Sequence, residues 1–180
     1  MSLEYNLKEE LEALQIALKT EQDGYQYFKE SSERTNHPVA KKFFASLASD
    51  EMIHIELIKE FHRSLQSDPD SAAVSLPNIP GDLHIRLKTI FEEAQAEIDQ
   101  NIPPDTGILD VYRHSMDLEV KAAEFYKQRR DATTFKRARK IYDWLFHFES
   151  YHYRMLSETL SYLENPNQWF LDLEKSIFEG

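Results

Sequence analysis

The sequence predicts an all-α protein, an antiparallel four-helix bundle with one long crossover between the second and third helices. The composition suits long helices, because only four of the 180 residues are Gly and 41% are apolar. Apolar side chains recur at steps of three and four, which is the spacing of helices packed in a bundle. Two pairs of such helices are also related by an internal repeat.

The first helix pair is predicted at residues 4–66, with its second helix beginning at Pro38. The short break Asn-His-Pro makes the two helices an antiparallel hairpin, and Pro38 suits the first turn of a helix. Polar side chains interrupt the apolar row of each helix at inward positions. They are Glu21 in the first helix, and Glu51 and His54 in the second.

The second helix pair is predicted at residues 106–164, with Thr133 or Thr134 capping its second helix. Polar side chains again occupy inward positions of two apolar rows. They are Glu119, Glu149 and His152.

The crossover is predicted at residues 67–105, and it contains an extra helix that begins after an Asp82 cap and continues to about Asn101. A short tail helix is predicted within residues 165–180. All of these elements are predicted to form one domain, residues 1–180, because the length fits a single core.

A shift of 98 residues superimposes the second helix pair on the first. In both copies a single Glu precedes a Glu-x-x-His motif by 30 residues, and neighbouring apolar and basic residues also align. A Glu and a His three residues apart share one face of a helix. The chain is therefore interpreted as a duplicated helix pair, in which each copy supplies one Glu and one Glu-x-x-His. The aligned residues are Glu21 with Glu119, Glu51 with Glu149, and His54 with His152.

The six inward polar residues predict a dinuclear metal site. Burying four carboxylates together is costly, and no Lys or Arg lies at the matching level of the four rows. Two divalent cations would cancel their charge. Carboxylate and imidazole ligands suit iron or manganese, with zinc as an alternative. Without metal, we expect burial and mutual repulsion to raise the carboxyl pKa values.

Two tyrosines are candidates to hold these ligands in place. Tyr25 and Tyr126 follow the single Glu of their helices by four and seven residues, so either hydroxyl could donate a hydrogen bond to a ligand carboxylate. The alternative for each is an ordinary core or boundary aromatic.

Composition excludes several classes of function. The net charge of −11 argues against nucleic-acid binding and against anionic membranes. The chain has no Cys, so thiolate metal sites and iron–sulfur clusters are excluded. No apolar stretch reaches transmembrane length, and no basic or apolar leader precedes the first helix, so a cytoplasmic protein is expected.

The sequence resembles the rubrerythrin branch of the ferritin-like superfamily. The resemblance rests on the duplicated Glu plus Glu-x-x-His pattern, the long crossover, and the tail Asn-Pro-Asn-Gln-Trp-Phe at residues 165–170. This ligand pattern is typical of ferritin-like dinuclear proteins. The resemblance implies two iron ions, a homodimer, and reduction of hydrogen peroxide or reaction with dioxygen. Because no rubredoxin-like cysteines are present, we expect the electrons to come from a separate donor protein.

Within this resemblance, Glu51 and Glu149 are expected to bridge the two metals. The other four residues are expected to be terminal ligands, one Glu and one His on each metal. Rubrerythrins carry an additional Glu one turn after the third-helix ligand, where this chain has Ala122. Two alternatives to peroxide reduction stay open: oxidation and handling of iron itself, and a metal-binding module without catalytic activity.

Overall fold

The computed structural model describes residues 3–69, 75–79, 81–95, 106–166 and 168–169. The regular secondary structure of these ranges is entirely helical, which confirms the predicted all-α class. The helices are α1 (Leu3–Arg34), α2 (Pro38–Ser67), α3 (Leu83–Gln95), α4 (Thr106–Ala132) and α5 (Lys136–Glu164).

The first hairpin consists of α1 and α2, which pack along each other. The break between them spans three residues, and Pro38 occupies the first turn of α2 as predicted. His37 caps this helix, because its Nδ1 accepts the backbone N–H of Ala40 at 3.4 Å. A 30-residue helix is about 45 Å long, so both helices extend well beyond the central level where their polar residues lie.

The second hairpin consists of α4 and α5, and its turn differs from the prediction. Phe135, rather than Thr133 or Thr134, is the N-cap of α5, and no side chain caps the helix there. The hydroxyl of Thr133 is buried and donates instead to the carboxylate of Glu10 on α1. A Thr that looks like a helix cap in the sequence therefore joins the second hairpin to the first.

The crossover helix α3 packs on α2 and also touches α5. The predicted cap is confirmed, since Asp82 Oδ1 accepts the backbone N–H groups of His84 at 2.8 Å and Ile85 at 3.1 Å. The described helix ends at Gln95. The rest of the predicted extra helix and the following prolines, residues 96–105, lie outside the described residues.

Aromatic side chains fill much of the core at the end of the bundle where α1 and α5 end and α2 and α4 begin. Phe28, Phe44 and Tyr112 pack together between the hairpins, with ring centroids 4.7 to 6.2 Å apart along this set. Trp169 is buried against Phe91 of α3 and Tyr162 of α5. The rest of the predicted tail helix, from residue 170 onward, falls outside the described residues.

None of the described helices combines the length and the apolar character that crossing a bilayer requires.

Candidate metal centre

The four bundle helices bring all six predicted residues into one buried cluster. No member exposes more than 3% of its surface. We call this set the carboxylate–imidazole cluster; it comprises Glu21 of α1, Glu51 and His54 of α2, Glu119 of α4, and Glu149 and His152 of α5.

The cluster divides into two overlapping groups of four residues. Within each group, one ligand atom from every residue lies within 4.8 Å of the others. Both groups contain Glu51 and Glu149, which we call the shared pair. The His54 half-site adds Glu21 and His54 to this pair, and the His152 half-site adds Glu119 and His152. Glu21 and Glu119 are called the outer pair.

Both imidazoles direct the same ring nitrogen into the cluster. His54 Nδ1 lies 2.8 Å from Glu21 Oε2, 3.2 Å from Glu51 Oε2 and 3.3 Å from Glu149 Oε1. His152 Nδ1 lies 3.4 Å from a carboxylate oxygen of each member of the shared pair and 3.5 Å from Glu119 Oε1. The two half-sites therefore repeat one arrangement, as the internal repeat predicts.

Buried polar atoms without partners mark the cluster as a ligand site. Glu119 Oε1, Glu149 Oε1 and His152 Nδ1 are all buried without a hydrogen-bond partner among the described residues. A buried polar atom that is left unpaired costs about 1–3 kcal/mol. Metal ions held by carboxylate oxygens and imidazole nitrogens would satisfy these atoms, so the residues fit a divalent metal such as iron or manganese.

When no metal is bound, the carboxyl groups of the outer pair bind protons more strongly than those of the shared pair. Burial, followed by the charges of neighbouring carboxylates, raises the pKa of Glu21 and of Glu119 well above the usual value. Burial acts to raise the pKa of Glu51 and Glu149, and the charge of Glu51 raises the pKa of Glu149 further. The charge of His54 and the close approach of both imidazole Nδ1 atoms outweigh these effects. The pKa values of this shared pair therefore lie below the usual value, which corrects the expectation that all four would be raised.

The imidazoles supply the missing counter-charge. Burial alone would lower the pKa of His54 and of His152, but the nearby carboxylates outweigh burial and raise both pKa values well above the usual range. When the outer pair and both imidazoles hold protons, the two positive charges balance the two charges of the shared pair. Metal ions need these ligands deprotonated, so they would take over the role of the protons.

One tyrosine holds the cluster, as the sequence suggested for two. The hydroxyl of Tyr126 is buried and donates to Glu21 Oε1. Tyr25 packs half-buried against the apolar core, and within the described residues it makes no hydrogen bond to the cluster. Sequence reasoning also missed Asp50, whose Oδ2 lies 3.1 Å from His152 Nε2. Asp50 directly precedes Glu51, but only the packed fold places it beside the imidazole of another helix.

A cavity of about 480 Å³ leads to the cluster between α1 and α4. All four carboxylates of the cluster line it, together with Gly24, Ala122 and aromatic side chains. Gly24 and Ala122 occupy equivalent positions of the repeat. A Cβ atom added at Gly24 would lie 3.7 Å from Cδ of Glu51, so this small residue leaves space directly against the shared pair.

Removing the Tyr126 hydroxyl tests whether it positions Glu21. We expect Tyr126→Phe to weaken metal binding at the His54 half-site by about 10- to 100-fold, the usual cost of losing a hydrogen bond that orients a ligand. Tyr112→Phe is the matched control, because Tyr112 is equally buried on α4 and its hydroxyl has no partner among the described residues. Anaerobic metal titration against a competing chelator gives both affinities. Equal metal affinities in the two variants would show that Tyr126 contributes to core packing and does not position Glu21.

The comparison with known families agrees with this geometry. The chain matches the rubrerythrin family over residues 12–160, a range that contains all six residues of the carboxylate–imidazole cluster. No curated protein and no solved structure matches the chain. Because the family match covers most of the sequence, the chain belongs to the rubrerythrin family.

Proposed function

We propose that this protein is a dinuclear iron oxidoreductase that reduces hydrogen peroxide with electrons from a separate donor protein. The observation that carries the proposal is the pair of overlapping four-residue groups that share Glu51 and Glu149. Membership of the rubrerythrin family supports iron as the metal. Two carboxylates common to both groups are what a dinuclear centre needs in order to hold its metals side by side.

Each proposed metal has its own terminal ligands. Glu21 and His54 would hold one ion, Glu119 and His152 would hold the other, and the shared pair would bridge them. Iron bound there would supply the two electrons that cleave the O–O bond of peroxide. The overall reaction consumes one peroxide, two electrons and two protons and yields two waters. The chain's own contribution is to fix the ligands in a buried environment and to balance their charge.

The cavity between α1 and α4 provides the route for the oxidant. Its inner end is formed by the four carboxylates, and its walls include the apolar side chains of Phe28, Leu118 and Phe125. Hydrogen peroxide is far smaller than this cavity, so the cavity has room for it beside the four carboxylates. Ala122 lines the α4 side of this cavity.

The choice of oxidant tests the proposal. We expect the Fe(II)-loaded protein to be oxidised faster by hydrogen peroxide than by dioxygen. Stopped-flow absorption after anaerobic loading, with the two oxidants at equal concentration, measures both rates. Equal or faster oxidation by dioxygen would contradict peroxide reduction and favour the iron-oxidising function.

Ala122 favours oxidation and handling of iron itself as the second candidate. The additional Glu that the rubrerythrin resemblance implies is missing at this position, so a ligand exchange that depends on it is excluded. An iron-handling protein would be expected to assemble into a multi-subunit shell, whereas the proposed oxidoreductase is expected to be a homodimer in the cytoplasm. Size-exclusion chromatography of the metal-loaded protein separates the two assemblies.

A further inference from the structure

The two imidazoles of the cluster occupy equivalent positions of the repeat, but their surroundings differ. The 98-residue shift that aligns His54 with His152 also aligns Asp50 with Phe148. Each of these two residues lies beside the imidazole of the other hairpin. At this one position, therefore, a carboxylate in the first copy is replaced by a phenyl ring in the second.

The outer nitrogen of His152 has a strong hydrogen-bond acceptor. Its Nε2–H donates to Asp50 Oδ2 at 3.1 Å, and Asp50 is itself 6% exposed. Arg86 of the crossover helix fixes this carboxylate, because its Nη2 lies 2.6 Å from the same oxygen and 2.7 Å from Ser46 Oγ. The ring of His152 is thus held with Nδ1 facing the cluster.

The outer nitrogen of His54 lacks such an acceptor. His54 Nε2 is buried and has no hydrogen-bond partner among the described residues. The ring packs edge to face against aromatic side chains, with its centroid 4.5 Å from that of Phe148 and 5.3 Å from that of Trp144. These contacts restrict the ring by packing alone, and neither offers a carboxylate to its N–H.

We propose that the two half-sites bind metal unequally, and that Asp50 is the positioning residue that makes the His152 half-site the stronger one. A metal-bound imidazole that donates its other N–H to a carboxylate is oriented and made more basic, and losing such a partner costs about 10- to 100-fold in metal affinity. Among the described residues, His54 has no such carboxylate, because Phe148 occupies the position equivalent to Asp50. At less than one metal per chain, the ion accordingly occupies the His152 half-site, and the His54 half-site is the one that fills last and empties first. The inference rests on the ligand set of the proposed function but not on the identity of the oxidant.

Single-imidazole variants measure each half-site separately. His54→Ala leaves the His152 half-site with its imidazole, and His152→Ala leaves the His54 half-site with its imidazole. Both are titrated with Co(II) against a competing chelator, and circular dichroism verifies that they are folded. We expect His54→Ala to bind its tighter ion at least about tenfold more strongly than His152→Ala does. This comparison leaves Asp50 unchanged, so it does not depend on how well a variant at Asp50 folds.

Asp50→Asn in each of these backgrounds identifies the cause. Asparagine keeps the shape of the side chain but removes the charge that accepts the imidazole N–H. We expect a loss of about 10- to 100-fold in the His54→Ala background and little change in the His152→Ala background. In the His54→Ala background, Glu10→Gln is the matched control, because it removes the charge of a buried carboxylate that bonds to Thr133 and Tyr142 outside the cluster. It is expected to leave the affinity of the His152 half-site unchanged.

Three outcomes would overturn the inference. Equal affinities of the two single-imidazole variants would show that the half-sites do not differ. An equal loss from Asp50→Asn in both backgrounds would show that Asp50 acts on the whole cluster rather than on His152. Failure of the native chain itself to bind Co(II) would overturn the ligand set as well, whereas slow reaction with peroxide would affect only the proposed function.

Discussion

Replacing either member of the shared pair, by Glu51→Ala or Glu149→Ala, is expected to remove most of the bound metal. Each of these carboxylates belongs to both half-sites, so one substitution weakens both. The native chain should retain two ions after anaerobic Fe(II) loading and desalting, and either variant should retain less than one. Elemental analysis of the purified proteins gives these values.

Glu10→Ala is the matched control for this experiment. Glu10 is another buried carboxylate of the bundle, 3% exposed, but it accepts hydrogen bonds from Thr133 and Tyr142 outside the cluster. Its loss should lower stability without lowering the metal content of the folded protein. Unchanged metal content in both shared-pair variants would contradict the assignment of the cluster as a metal site.

Removing the metal is expected to destabilise the bundle, and most strongly as pH rises from mildly acidic to neutral. Binding only to the folded state adds about 2.7 kcal/mol for each site when free metal is at 100 times its Kd. Without metal, stability depends on protons held by the cluster. Thermal melts with metal and with chelator across this pH range measure both effects.

The direction of the pH dependence follows from the pKa shifts of the metal-free cluster. The outer pair and both imidazoles have folded-state pKa values above their unfolded values. Their contribution is complete below the unfolded pKa and is lost as pH rises through the folded value. The shared pair has lowered pKa values, so its contribution is present above the unfolded pKa and is lost as pH falls through the folded value.

Together these shifts place the greatest stability from the metal-free cluster near the usual pKa of Glu, about 4.3, with a decline above it. Metal replaces the protons, so the metal-loaded protein should hold its stability as pH rises toward neutral. Melting temperatures that coincide with and without chelator over the whole range would show that the six residues are not a metal cage.

The sequence was sufficient to predict which six side chains meet. The internal repeat identifies the same three positions in each hairpin, so the two hairpins supply matching sets of ligands. Polar residues at inward positions of four helices can only be buried together, and the Glu-x-x-His spacing places both residues of each motif on one face. The predicted fold class followed from the same rows of apolar residues. Internal comparison therefore carried most of the information about the cluster.

Contacts between the two hairpins were not predictable in the same way. Asp50 and Phe148 each lie beside an imidazole of the other hairpin, a relation that alignment of one copy on the other does not show. Thr133 likewise has a sequence pattern typical of a helix cap, but it bonds to Glu10 across the bundle. The lowered pKa values of the shared pair also required the structure, since they depend on how closely the imidazoles approach.

The protonation of the cluster shows most clearly what the sequence alone could not predict. From the sequence, four carboxylates in an apolar core have no counter-charge, because no Lys or Arg lies at their level. In the structure the imidazoles stand 2.8 to 3.5 Å from the carboxylate oxygens and provide that charge themselves. The sequence was enough to identify the four carboxylates and two imidazoles. Which of them hold protons depends on the distances between imidazole nitrogens and carboxylate oxygens, which only the structure gives.

The most direct test of the dinuclear centre is anomalous diffraction at the iron absorption edge from crystals of the Fe(II)-loaded protein. The predicted result is two iron peaks in each chain, one bounded by Glu21, His54 and the shared pair, the other by Glu119, His152 and the same pair. Iron peaks only at surface carboxylates, or no peak between the six side chains in fully loaded crystals, would contradict the central claim that these residues form a two-metal site.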